Sequence, residues 1–134
     1  MPRNNFLGLD VGTRRIGVAL ARDGVKLAVP LMTIDVDGNE IDALKELITT
    51  QQINRIIVGY PRNQSGEATE QSRQVEAFVE AHISSLGVPY SFQDESLTSV
   101  VAEAQLDSGR LPYSKADVDA HAAAIILQDY LETL

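Results

Sequence analysis

Leu7-Gly8-Leu9-Asp10-Val11-Gly12-Thr13-Arg14-Arg15-Ile16-Gly17-Val18-Ala19-Leu20 is the stretch on which the reading of this chain turns. Two apolar runs, 6–11 and 15–20, flank a Gly-Thr turn, which predicts two antiparallel strands joined in a hairpin. Asp10 interrupts the end of the first. A carboxylate taken out of water costs several kcal/mol unless it is paired or meets a cation. Packing therefore gives no reason to place one there, whereas chemistry does. The bland alternative is an aspartate capping the Gly12-Thr13 turn.

Beyond this hairpin, Lys26 to Ile34 reads as a third strand, with Pro30 marking an edge or a bulge. Asn39 suits the N-cap of a helix carrying Ile41, Leu44, Leu47 and Ile48 at helical spacing. The β-branched run from Arg55 to Gly59 predicts a strand covered on both faces. Residues 60–66 read as a loop, in which Gly59-Tyr60-Pro61 is either a tight turn or a phosphate contact. A helix follows to about Leu86, with Val75, Phe78, Val79, Ile83 and Leu86 as its buried stripe. Gly87-Val88-Pro89 then introduces a strand through Phe92. A short helix from Thr98 or Ser99 to about Leu106, a loop over 109–114 and a final helix from about Ala116 to Leu131 complete the chain.

Consecutive short strands form a meander, while strands entered through helical crossovers lie parallel. The expected fold is α/β: a mixed five-stranded sheet, with an antiparallel three-strand meander plus parallel strands, and helices on both faces. All of 1–134 reads as a single domain, long enough to bury about 68–70% of its unfolded surface.

Composition narrows the function classes. The chain has 19 acidic against 11 basic residues and a net charge of −8, which argues against binding nucleic acid by bulk electrostatics. An enzyme meeting nucleic acid through a small basic rim and a cation remains compatible. Zero cysteines excludes thiolate metal sites and a cysteine nucleophile, and fits a cytoplasmic location. No apolar run approaches the ~20 residues of a membrane span, so no membrane role is expected. Aromatic content of 5% leaves little for base stacking.

Two further acidic clusters recur at Asp94-Glu95 and Asp117-Val118-Asp119. Three carboxylate sites on separate elements are what a hard divalent cation needs. Adjacent strand residues face opposite ways, so only one of Asp94 and Glu95 can look into a shared site; Glu95 is the choice and Asp94 the reserve. Asp117 and Asp119 do not share a helix face, so one of them can be simple helix-start charge.

Four collinear motifs resemble the YqgF/RuvX family of the ribonuclease H-like superfamily. They are Leu9 to Ala19, Val58 to Gly66, Asp94-Glu95-Ser96-Leu97-Thr98-Ser99 with Ala102-Glu103, and Val118-Asp119-Ala120-His121 through Gln128. Members are described as Holliday junction resolvases and as nucleases that trim the precursor of small-subunit ribosomal RNA. The resemblance implies a ribonuclease H-like fold and metal-dependent phosphodiester hydrolysis. It implies Asp10, Glu95 and Asp119 as catalytic residues and ligands of Mg²⁺ or Mn²⁺. Arg14, Arg15, Arg62, Asn63 and Lys115 are the candidate substrate contacts, only one of the adjacent Arg14 and Arg15 facing the cleft. His121 could act on the leaving group, although a helix-surface histidine is the simpler reading, and His82 carries no signal. The family commonly has arginine where this chain has Ser96. The implied partner is nucleic acid, either ribosomal RNA precursor or branched DNA. Cleaving a junction with paired sites would call for a homodimer.

Two rivals stand beside this reading. Leu9 to Thr13 also resembles the first phosphate motif of actin-like ATP-binding domains, but those close two such domains around the nucleotide. A non-catalytic nucleic-acid-binding or transcription-associated module is the other, and retention of all three carboxylates counts against it.

Overall fold

The computed structural model describes residues 4–61, 67–95, 104–109 and 114–134. Its strands are β1 (Phe6–Val11), β2 (Arg15–Ala21), β3 (Val29–Asp35), β4 (Arg55–Pro61) and β5 (Tyr90–Glu95). Its main helices are α1 (Glu40–Thr50), α2 (Glu70–Ala81) and α3 (Lys115–Leu131), with a 3₁₀ turn at Ile83–Ser85. The sheet order is β3-β2-β1-β4-β5. The β1–β2 and β2–β3 pairs are antiparallel, whereas β1–β4 and β4–β5 are parallel. The expected meander and crossovers are both present. Among the described residues no helix is long and apolar enough to cross a membrane.

Alternation along the strands sorts the side chains onto two faces. Leu7, Leu9, Val11, Ile16, Val18, Ile56 and Val58 pack with Leu44 of α1 and with Val75 and Val79 of α2. Each such fully buried Leu or Ile contributes about 1.5–3 kcal/mol. The opposite face carries small residues, Ala19 and Ala21 with Ile57, under Ala123, Ala124, Ile126 and Leu127 of α3. Buried Asn5 ties the start of β1 to the end of α1, donating to the carbonyls of Gln51 and Gln52 at 3.2 and 3.1 Å.

Several boundaries differ from the sequence expectation. β3 starts at Val29 rather than Lys26, and Pro30 lies where the register slips between Val18 and Ala19, so this edge strand carries a bulge. Asn39 precedes α1 but makes no side-chain cap; Glu40 instead accepts from the Gly38 N–H at 2.8 Å. β4 continues through Tyr60 and Pro61, so these are ladder residues and neither a turn nor a loop. α2 ends at Ala81, and β5 runs past Phe92 to Glu95. The helix expected near 98–106 lies mostly outside the described residues, of which 104–107 are helical.

Candidate active site

Strand parity brings Asp10 and Glu95 to the α3 face of the sheet. Asp10 pairs with Gly17 of β2, and Glu95 pairs with Pro61 at the end of β4. Asp94 faces the other way and is exposed. Asp119 arrives from α3, which starts with a reciprocal cap: Ser114 Oγ accepts from the Asp117 N–H, and Asp117 Oδ2 accepts from the Ser114 N–H at 2.9 Å. Asp117 is thus a capping residue, and Asp119 sits half-buried about half a turn further on.

Glycines bring these elements together. A Cβ on Gly17 would lie 1.9 Å from the Asp119 carbonyl oxygen, so α3 crosses β2 in backbone contact there. A Cβ on Gly59 would lie 2.8 Å from Glu95 Oε2 and 2.6 Å from Ile126 Cδ1. Any side chain at Gly59 would therefore occupy the space of the Glu95 carboxyl. Thr33 Oγ1 donates to the Ala116 carbonyl at 2.6 Å, and Gln128 Oε1 accepts from the Ala28 N–H at 2.9 Å, pinning α3 near both ends. Sequence reasoning missed Gly17 and Gly59 as site-builders. Glycine inside a strand, a mark of close backbone approach, was the available signal.

Asp10 lies within electrostatic reach of both Asp119 and Glu95. Burial, then the charge of Asp119, pushes Asp10 up to about 6. Burial, then the charge of Asp10, pushes Glu95 up to about 8. Glu95 Oε2 is buried and has no hydrogen-bond partner among the described residues. An orphaned buried oxygen is costly and calls for a partner. Arg15 Nε contacts Asp119 Oδ2 at 2.6 Å, and this hydrogen bond raises the Arg15 pKa further. Among the described residues no three acidic or imidazole side chains close into a finished metal cage. Like-charged carboxylates repel, and Asp119 is held toward Arg15.

The other sequence candidates separate. Arg14 is exposed in the hairpin turn, and Lys115 is exposed at the first position of α3. Arg15 forms an ion pair with Asp119, and both Arg14 and Arg15 line the cleft beside it, where only one of the two was expected to face. Arg62, Asn63 and Ser96 lie outside the described residues. His121 Nε2 bonds Gln105 Oε1, and His82 ends α2 with its ring against Phe78. Tyr60 donates its hydroxyl to Glu76 at 2.8 Å, on the face away from the carboxylates. A cleft of about 500 Å³ opens between the hairpin turn at 11–15 and the first turns of α2, with Asp119 in its wall.

Comparison with known proteins agrees with this architecture. The family model described as "RuvX: Holliday junction resolvase" matches residues 4–133. A Chloroflexus aggregans protein named "Putative pre-16S rRNA nuclease" is 40% identical over 136 residues, covering 98% of this chain and 96% of its own. A Salinibacter ruber protein of the same name is 40% identical, covering 93% and 90%. Among solved structures, RuvC of T. thermophilus in complex with a Holliday junction substrate superposes with a TM-score of 0.60 at 14% identity, covering 97% of this chain and 94% of that one. The Fowlpox virus resolvase gives 0.56 at 12% identity, covering 96% and 97%. At such identities the likeness speaks for the fold alone. The chain belongs to the RuvX family of nucleases, built on the ribonuclease H-like fold of RuvC-type resolvases.

Proposed function

We propose that this chain is a divalent-cation-dependent nuclease that trims the precursor of small-subunit ribosomal RNA in the cytoplasm. In this reading Asp10, Glu95 and Asp119 hold Mg²⁺ or Mn²⁺ and form the catalytic centre. The observation that carries it is the orphaned, buried Glu95 Oε2 beside a second buried carboxylate whose charge it feels. Two buried carboxyls pushed up by burial and by the charge of a neighbouring carboxylate, with no basic group against them among the described residues, suit a cation site. The donors are hard oxygens without thiolate or imidazole, which suits Mg²⁺ or Mn²⁺. When bound, such a cation supplies Lewis acidity for phosphodiester hydrolysis.

The chain's own groups have separate tasks. Glu95, pushed up to about 8, would give up its proton on ligating a cation, whereas Asp10, pushed up to about 6, is already mostly ionised at neutral pH. Arg15 holds Asp119 Oδ2 in an ion pair with which a cation would compete for that carboxylate. Gly17 and Gly59 keep the space between sheet and α3 free of side chains.

RNA is favoured over branched DNA because the curated relatives at 35–42% identity carry the pre-16S rRNA nuclease name. Branched DNA is the second reading, favoured by the family model's description, and it requires two copies acting together. The test is a cleavage panel of single-stranded RNA, structured precursor RNA and four-way DNA with Mg²⁺ and Mn²⁺, beside Asp10→Asn. Cleavage of precursor RNA by the wild type, lost in the variant, is expected. Junction-only cleavage would transfer the assignment to resolution, and cleavage by Asp10→Asn would remove the metal site.

A further inference from the structure

The cleft beside Asp119 has one wall that no motif accounts for. Glu70, Gln71 and Gln74 of α2 line it, opposite the hairpin residues 11–13, Arg14 and Arg15. α2 turns Ser72, Val75 and Val79 inward, so Gln71 and Gln74, three residues apart, stand together on its outer side. Both are exposed, and among the described residues neither carboxamide has a hydrogen-bond partner. Arg14 is likewise unpaired there, in contrast to Arg15.

We propose that this cleft is the subsite for one unstacked nucleotide next to the scissile phosphate, its base edge read by Gln71 and Gln74 and its backbone held by Arg14. This rests on the nuclease reading of the neighbouring carboxylates. A volume of about 500 Å³ lies within the range of pockets that enclose a single small ligand. Each carboxamide offers two donors and an acceptor, so a pair of them matches the mixed donor–acceptor edge of a base. A bare phosphate-binding groove would need cations on both walls, but here one wall is amide and carboxylate. Among the described residues no aromatic side chain lines the cleft, which favours selection through hydrogen bonds over stacking. Single-stranded or splayed substrate is required, because a paired base keeps its edge covered.

The test compares wild type, the Gln71→Ala/Gln74→Ala double variant and Arg14→Ala. One arm sequences the cut ends of an RNA pool randomised at every position, with Mn²⁺. The other measures binding of labelled RNA tetramers of each base by fluorescence anisotropy in EDTA. The wild type should show a base bias of fivefold or more at one position flanking the cut, reduced below twofold in the double variant with a rise in KM. Arg14→Ala should weaken every sequence alike and flatten the salt dependence, leaving the bias in place. Circular dichroism and thermal melts confirm that the variants are folded. A wild type with no bias, or a double variant that keeps it, overturns the proposal while leaving the nuclease reading intact. If the wild type cleaves nothing, the nuclease reading fails, and the anisotropy arm decides the subsite. Tetramer affinities unchanged by the double substitution would then reject it.

Discussion

Replacing Glu95 with glutamine should make the metal-free protein more stable, and more so as pH rises. In the folded chain Glu95 is pushed up to about 8 from an ordinary 4.5. The folded state therefore binds this proton more tightly than the unfolded chain does. Linkage then gives a native state favoured at low pH, with stability falling as pH rises from about 4.5 through 8. With 1.36 kcal/mol per pH unit of displacement, the cost of the carboxyl is about 1 kcal/mol at pH 5. It grows to about 3 kcal/mol at pH 7 and about 4 kcal/mol at pH 8. Glutamine has similar size and no proton to lose, so it escapes this cost at each pH. Urea denaturation of both proteins in EDTA at pH 5, 7 and 8 measures the difference directly. The gap between variant and wild type should widen by about 3 kcal/mol across that range. Saturating Mn²⁺ should narrow it, because the cation stabilises only the chain that has the carboxylate. A glutamine variant less stable than wild type, or a gap independent of pH, would refute the claim that Glu95 is a buried carboxyl without a partner among the described residues.

Asp117→Ala should cost about 1 kcal/mol in chemical denaturation through loss of the helix cap while cleavage persists, whereas Asp119→Asn should end cleavage. The same nuclease assay reads both, and equal loss of activity would dissolve the distinction between them. Gly17→Ala forces a methyl group onto the Asp119 carbonyl and should destabilise by about 3 kcal/mol or more, visible as a lowered denaturation midpoint. A stable, active Gly17→Ala protein would mean that α3 does not cross β2 in backbone contact. Arg15→Gln frees Asp119 from its ion pair and should tighten Mn²⁺ binding by up to about fivefold in calorimetry. Weaker binding would instead identify Arg15 as the group that orients Asp119 for the cation.

Much of this was readable from residues, for identifiable reasons. The hairpin at 6–20 and the run at Arg55–Gly59 announce strands because burial on one or both faces leaves a period in the sequence. Strand alternation says that only one of Asp94 and Glu95 can face α3, and the ladder through both puts Glu95 there. Preferring Asp119 to Asp117 took the family motif; the structure gives Asp117 a task of its own, the cap with Ser114. Other features depend on contacts far apart in the chain, which local patterning does not carry. Arg15 lies 104 residues from Asp119, and nothing in the Arg14-Arg15 pair says which of the two would be taken. Tyr60-Pro61 looked like a turn because proline is a local breaker. At the end of a ladder, however, proline costs little, and pairing with β5 holds it there. Gly17 and Gly59 are legible only once α3 is known to lie across them.

The most direct measurement is anomalous diffraction from crystals of the protein soaked in Mn²⁺, with Asp10→Asn crystals as control. The account predicts a manganese peak between β1, β5 and α3, coordinated by oxygens of Asp10, Glu95 and Asp119 and absent from the control. A wild-type crystal with no peak there at saturating Mn²⁺, or with manganese held by other residues, would contradict it.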